Sequence, residues 1–313
     1  MILCVTLNPV LDWTFHIDQF QQTYRTEARE LHRYAGGKGN NAARVLKDLG
    51  VEAAAFNALG GENGQALLNL LEKDGLNLQA VWVAAETRLA VNLIDRCGEQ
   101  RAVFAPPQPW SPQDPAAVWA AFESLLPQVD IICICGSSPD PAATPLFFEM
   151  VHAANRRGLL TILDSYGPGL AAGLRAAPTV LKINQQEAEG YVGDSLSDEK
   201  HLQQGLRDLQ TRSDSAQVII TRGSLGAVMV AQDGSFYQAQ PLALPVLNTI
   251  GCGDAFTAGL AMGLLHGLPD WQCFRLGTAA AGANTLTWQP GKVDPAEVSR
   301  LIGEVNILPL RAD

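Results

Sequence analysis

IICICGSSPDPAATPLFFEMVHAANRRGLLTILD, residues 131–164, holds one full unit of the fold. IICICG and LLTILD are short runs that are apolar on both faces, as strands of a parallel sheet covered on both sides are. Between them, PLFFEMVHAANRRG is longer and helical in character, and it finishes on Gly158, as helix C-termini often do. Strand, helix, strand is the βαβ unit, and the same alternation continues in both directions. ILCVTL (2–7), AAAFNAL (53–59), TVLKI (179–183) and QVIITR (217–222) are further strand candidates. NNAARVLKDLG, GQALLNLLEKDG, PAAVWAAFESLL, EKHLQQGLRDLQ and a pair of segments near 254–287 are helical candidates. Repetition of this kind predicts an α/β fold with a doubly wound, mostly parallel sheet flanked by helices.

Two stretches break the rhythm, 12–35 and about 79–105. Both are richer in strand formers, and VNLIDRCGEQRAVFA reads as a hairpin turning at Cys97-Gly98. They predict a small accessory sheet acting as a lid on a single domain spanning 1–313. No linker, low-complexity segment or internal repeat interrupts the chain.

Composition narrows the function classes. Apolar residues make up 47% of the 313 positions and charged ones 17%, enough for a buried core. A formal net charge of −10 argues against nucleic acid or an anionic membrane as partner. Any local cluster of Lys and Arg therefore gains weight. The six cysteines show no CxxC pair, and Cys133 and Cys135 alternate as one face of a strand would, which fits reduced thiols in a cytoplasmic protein. The five histidines show no HxxxH or HExxH spacing, so no zinc site is expected. MILCVTLNP lacks a basic segment before its apolar one and reads as a first strand rather than a signal peptide. No apolar run approaches membrane-spanning length, so the protein is expected to be soluble.

Five motifs carry chemistry. In AGGKGNNAARVL, Gly36, Gly37 and Gly39 surround Lys38 just before a helix. Glycines permit close backbone approach to a ligand, and helix-start amides favour anions; the plain alternative is a tight turn with a solvated lysine. Asn41 lies one turn further on and could bond a sugar. Asp12, in NPVLD after the first strand, is placed to hold vicinal hydroxyls or to make a structural Asx-turn. In LKINQQE, Asn184 and Glu187 lie three apart at a helix start, suited to holding Mg²⁺ through its waters or to forming a capping box. IITRGSLGAV (219–228) is a hairpin or a flat surface for a nucleotide. NTIGCGDAFTAGLA (248–261) sets Asp254 behind a glycine turn at the mouth of a helix, as a cap or as a piece of chemistry.

In this order along essentially the whole chain, these motifs resemble the ribokinase-like (PfkB) carbohydrate kinases. AGGKGNNAARVLKDLG and NTIGCGDAFTAGLA are the most specific pieces, the latter similar to the family's DTxGAGD pattern. The resemblance implies that Asp254 is the catalytic base and that the amides of Gly251, Cys252 and Gly253 form an anion hole. It implies nucleotide binding by Lys182, Asn184, Thr221, Gly223, Gly226 and Asn284, with ATP as donor and Mg²⁺ near Asn184 and Glu187. LNPVLD and the Thr87-Arg88 pair look like the branch acting on phosphorylated ketohexoses: fructose 1-phosphate, fructose 6-phosphate or tagatose 6-phosphate. In that branch Asp12, Gly37, Lys38, Asn41, Arg88, Arg101 and Ser137 would bind substrate. The family also implies a possible homodimer through the lid. There are departures: AVFAPPQP replaces the usual ELNEPGP-like text, Lys182-Ile183-Asn184 replaces KPN, and Cys252 replaces an alanine. Two other classes stay open, a kinase for an unphosphorylated sugar or nucleoside, and a sugar binder without chemistry.

Overall fold

The structure of the protein, a computed structural model, describes residues 1–20 and 25–310. In chain order the strands are β1 (Ile2–Thr6), β2 (Val10–His16), β3 (Glu30–Gly36), β4 (Ala53–Leu59), β5 (Asn77–Trp82), β6 (Arg88–Ile94), β7 (Gln100–Phe104), β8 (Ile131–Ser137), β9 (Leu160–Tyr166), β10 (Val180–Asn184), β11 (Gln217–Thr221), β12 (Ala227–Val230), β13 (Phe236–Ala239) and β14 (Ile307–Leu310). The helices are α1 (Lys38–Asp48), α2 (Gly61–Lys73), α3 (Asp114–Leu125), α4 (Thr144–Asn155), α5 (Gly167–Leu174), α6 (Gln185–Val192), α7 (Glu199–Ser213), α8 (Cys252–Leu265), α9 (Asp270–Asn284) and α10 (Pro295–Glu304).

The main sheet runs β14-β13-β12-β11-β10-β9-β8-β1-β4-β5. From β5 to β11 every pairing is parallel; β12, β13 and β14 complete one edge antiparallel. Alternation within each strand feeds two cores. Leu3, Val5, Ile132 and Ile134 point to one face, where α3 to α7 pack through Phe122, Met150, Leu170 and Leu206. Ile2, Cys4, Ile131, Cys133 and Cys135 point to the other, where α1, α8, α9 and α10 pack through Val45, Leu260, Phe274 and Leu301. Cys133 and Cys135 thus share a face, as their spacing predicted. Burial of both faces explains why these strands read as continuous apolar runs. Among the described residues, no helix is long and apolar enough to cross a membrane.

A second sheet, β3-β2-β6-β7, stands apart from the first. Its hairpin β6–β7 turns at Cys97-Gly98, where Gly98 takes a φ of 84°. This sheet begins at Val10 and resumes at Arg88 rather than at 79, because β5 belongs to the main sheet, paired parallel with β4. β5 is an edge strand with half-exposed Trp82, so its polar alternation resembles that of a lid strand. Positions 21–24 of the segment expected to form the lid lie outside the described residues.

Two helices, α5 and α10, were not among the predicted segments. α5, GPGLAAGL, is glycine-rich because it packs closely: a Cβ on Gly173 would sit 2.8 Å from Leu163, and one on Gly169 would sit 3.0 Å from Phe147. The carboxyl ends of β1, β8, β9, β10 and β11 open at one edge of the sheet, where α1 and α8 begin. Ligand sites of open α/β sheets lie at such an edge.

Candidate active site

The turn before α8 is built from glycine for geometric reasons. Gly251 takes a φ of 83°, and a Cβ there would lie 2.8 Å from the Gly291 amide. No side chain caps α8, so the amides of its first turn keep the partial positive charge of a helix start. Asn284 holds the turn in place. Its Nδ2 donates to the Ile250 carbonyl at 2.9 Å, and its Oδ1 accepts from the Gly291 amide at 2.9 Å. Asn284 is fully buried, with both ends of its amide committed to the loop backbone, so its side chain braces the turn.

Asp254 stands at the third position of α8 and does not cap it. Its Oδ2 accepts from Asn41 Nδ2 at 2.7 Å, across from α1. Burial first, and then the charge of Asp164, pushes its carboxyl up to about 6, while Lys38, Lys182 and the Asn41 hydrogen bond pull the other way. A carboxylate poised there is suited to take a proton at neutral pH.

Asp164 was missed by the sequence reading and proves central. It ends the apolar run LLTILD at the sheet's open edge, and a carboxylate closing a buried strand was the available signal. The side chain is fully buried. Oδ1 accepts from Lys38 Nζ at 2.9 Å, and Oδ2 accepts from Lys182 Nζ and Thr257 Oγ, each at 2.8 Å. The two ammonium groups hold its carboxyl well below the usual range despite the burial. Lys38 also donates to Glu187 Oε1 at 2.9 Å, and the carboxylates around it raise its own pKa against its burial. Lys38 is therefore a fixed charge between two acids rather than a solvated lysine in a turn.

Asn184 and Glu187 form the capping box of α6. Asn184 Oδ1 accepts from the Glu187 amide at 2.8 Å, and Glu187 Oε2 accepts from the Asn184 amide at 2.9 Å. Every one of these oxygens already has a protein donor but keeps a second lone pair. The pair therefore fits a hydrated cation held through its waters, and not a direct cage. Among the described residues, no group of three or more His, Cys, Asp or Glu side chains could hold a metal ion.

A cleft of about 620 Å³ leads away from Asp254 and Gly253. Lys182, Asn184, Thr221, Gly223 and Gly226 line it. Gly226 takes a φ of 83°, and a Cβ there would lie 2.1 Å from the Ala239 carbonyl oxygen, so only glycine lets the β11–β12 hairpin lie flat beside the cleft. Leu242, Leu244, Val246 and Phe256 supply an apolar wall that the sequence reading did not assign. An apolar wall with lysines at one end suits a nucleotide base at one end and phosphates at the other.

The lid sheet places the remaining residues. Asp12 lies within β2 rather than in a turn after β1, and so makes no Asx-turn there. It accepts from Asn92 Nδ2 at 2.6 Å and Thr14 Oγ at 2.9 Å, and burial raises its carboxyl pKa above the ordinary value. Gly37, with a φ of 117°, packs against Thr6 and Pro9. Asn8 Nδ2 donates to Ser137 Oγ at 2.9 Å. Arg88 borders a small cavity with Asn8, Thr87 and Pro139, its Nε donating to the Ala105 carbonyl at 3.1 Å. Arg101 is not brought to this group. The register pairs Asn92 with Ala102 and Leu93 with Arg101, so Arg101 shares the sheet face opposite Asp12 and Asn92. There it bonds Glu99 at 2.8 Å and stacks over Phe20.

The chain is similar to 1-phosphofructokinase of Escherichia coli (strain K12), 28% identical over 312 residues and covering 98% of each chain. It is similar to tagatose-6-phosphate kinase of Staphylococcus epidermidis, 26% identical over 310 residues, covering 98% of this chain and 99% of the relative. Its fold matches the crystal structure of phosphofructokinase-2 from Escherichia coli in complex with potassium, with a TM-score of 0.87 and 23% identity over 97% of this chain and 98% of the other. The sequence pattern of the pfkB family carbohydrate kinases matches residues 5–294, and the chain belongs to that family as a sugar kinase.

Proposed function

We propose that this kinase transfers the γ-phosphoryl group of ATP to a hydroxyl of a phosphorylated ketohexose, giving a sugar bisphosphate. The observation that carries the reading is the meeting of Asp254, the α8 N-terminus and the Lys38–Asp164–Lys182 cluster at the end of the 620 Å³ cleft. The nucleotide lies in the cleft with its phosphates toward Gly253 and Lys182. The sugar lies under the lid, its hydroxyls on Asp12 and its phosphate toward Arg88 and Ser137. Asp254 accepts the proton of the attacking hydroxyl as its oxygen bonds to the γ-phosphorus, and the bond to the departing ADP oxygen breaks. Charge building on the transferring group meets the first-turn amides of α8 and the nearby lysines, all in place beforehand. Asn184 and Glu187 would hold Mg²⁺ through its waters, and the bound ion supplies positive charge to the phosphate oxygens.

The names of the relatives support a phosphorylated ketohexose, and Arg88 supplies the charge it needs in an acidic protein. The lid exposes Leu31, Val103 and Phe104, which supports pairing of two copies through this sheet. Free thiols at all six cysteines support a cytoplasmic setting. A kinase assay with ATP over fructose 1-phosphate, fructose 6-phosphate, tagatose 6-phosphate, ribose and adenosine tests the proposal. One of the phosphorylated ketohexoses should give the highest kcat/KM. Preference for ribose or adenosine would replace the reading with a kinase for a free sugar or nucleoside, and binding without turnover would make the protein a sugar binder.

A further inference from the structure

We infer that Arg44 is a positioning residue for the phosphoryl transfer, acting through Asn41 to orient the carboxylate of Asp254. The inference rests on the reading of Asp254 as the base. Asn41 and Arg44 lie three apart on α1, hence on one face, and both are buried. Arg44 Nη1 lies 2.6 Å from one end of the Asn41 amide. A guanidinium only donates, so that end must be the oxygen, and the NH₂ end must face Asp254 Oδ2 at 2.7 Å. The flipped amide would set N–H against N–H and oxygen against carboxylate, so Arg44 excludes it.

Arg44 is itself held from two further directions. Its Nε bonds Asp74 Oδ2 at 2.5 Å, and its Nη2 donates to the Ala35 carbonyl, just before the Gly36-Gly37-Lys38 turn. One planar fork thus ties the end of α2, the entry to α1 and the amide beside the base. The consequence reaches the reacting atoms. With Oδ2 committed to Asn41, and no hydrogen bond to Oδ1 among the described residues, Oδ1 is the oxygen left for the substrate hydroxyl.

The charged and titratable groups facing Asp254 are Lys38 from α1, Asp164 from β9, Lys182 from β10, Cys135 from β8 and Cys252 on its own helix. All of these stay when Arg44 is replaced. Losing the oriented donor removes one influence that lowers the base's pKa, so the acid limb of activity should move upward.

The test compares Arg44→Met and Arg44→Lys, the latter able to keep a pair with Asp74 but lacking the fork. Turnover, both KM values, the pH profile, Tm and ATP binding are measured, each variant also being placed in an Asp254→Asn background. The expected result is a fall in kcat of about tenfold with KM values within about twofold, since the loss is one of orientation. The acid limb should rise by about half a pH unit. Lysine should restore Tm but not kcat, and neither change should slow Asp254→Asn further. A folded variant with wild-type kcat and pH profile overturns the inference, as does a full additional loss in the Asp254→Asn background. Should neither variant fold, Asn41→Ala is read by the same outcomes. Wild-type turnover by Asp254→Asn alone would instead remove the base assignment on which the inference rests.

Discussion

Lys38 and Asp164 lie 126 positions apart in the chain and meet through a hydrogen bond of 2.9 Å between ammonium and carboxylate Oδ1. The other oxygen of Asp164 holds Lys182, so one buried acid fixes two cations at the end of the cleft. Replacing Asp164 by Asn would leave both ammonium groups without their main counter-charge, Lys182 being almost fully buried. Breaking such a pair from one side costs about 3–5 kcal/mol. Urea unfolding of Asp164→Asn should show a loss of that order at neutral pH. The carboxyl's pKa is depressed in the folded state, so its stabilisation is fully present above the unfolded value and fades as pH falls through the folded one. The gap between wild type and variant should therefore hold from pH 8 to about 5 and narrow only below about 4. A variant as stable as the wild type would mean that the cluster contributes nothing net.

As the proposed base, Asp254 should carry the pH dependence of the chemistry. Because burial and Asp164 push its carboxyl up to about 6, the base protonates as pH falls through that value. A plot of log kcat/KM against pH should bend downward near 6 on its acid side. Asp254→Asn keeps the shape but cannot take a proton, so kcat should drop by about 10²-fold or more with ATP binding retained. Turnover close to wild type in that variant would remove Asp254 from the base position.

How much of this was legible follows from the range of the interactions. The parallel sheet could be read because buried strands are continuous apolar runs, and the α8 turn because a glycine with positive φ precedes a helix. The Lys38–Asp164–Lys182–Thr257 cluster could not, since its members come from α1, β9, β10 and α8 and no local pattern links them. The side that Arg101 takes was not legible for a related reason: a strand's two faces differ by one residue, and only the register with β6 decides between them. The bracing role of Asn284 was not legible, because its loop partners, Ile250 and Gly291, meet it only in three dimensions. The apolar cleft wall alternates at Leu242, Leu244 and Val246 as a strand would, but Pro241 and Pro245 interrupt the run and it forms no strand, so its pattern did not point to a cleft.

Glu187 separates a structural duty from a metal duty. Its carboxylate closes the capping box and also accepts from Lys38; glutamine keeps an oxygen for the box, so Glu187→Gln should lower stability by about 1 kcal/mol or less, through the charge lost beside Lys38 and at the helix start. If it also orders the waters of a bound Mg²⁺, the lost charge should raise the Mg²⁺ concentration for half-maximal activity several-fold, by about threefold to tenfold. Tm and a Mg²⁺ titration on the same variant distinguish the two. An unchanged titration with a lowered Tm would leave Glu187 as a cap alone.

Arg88 and Arg101 give the sharpest comparison, because both are lid arginines and only one borders the proposed sugar site. A sugar phosphate brings roughly two negative charges to a protein of net charge −10, which repels it at long range. Binding then depends on a local cation, and arginine's planar fork engages phosphate oxygens bidentately. Arg88→Ala should raise KM for the phosphorylated sugar by about 10- to 100-fold, since charge-assisted hydrogen bonds contribute about 1.5–3 kcal/mol. KM for ATP should hardly move, because the cleft on the far side of Asp254 does not include Arg88. Raising the salt concentration should shrink the difference between wild type and variant as the attraction is screened. Arg101→Ala should change the sugar KM by less than about twofold in the same assay, its guanidinium being tied to Glu99 and Phe20 on the opposite face, where exposed pairs contribute about 0–1 kcal/mol. Equal losses in both variants would place the phosphate between the two faces and contradict the arrangement. An unchanged KM in Arg88→Ala would remove the phosphate subsite and, with it, the case for a phosphorylated substrate.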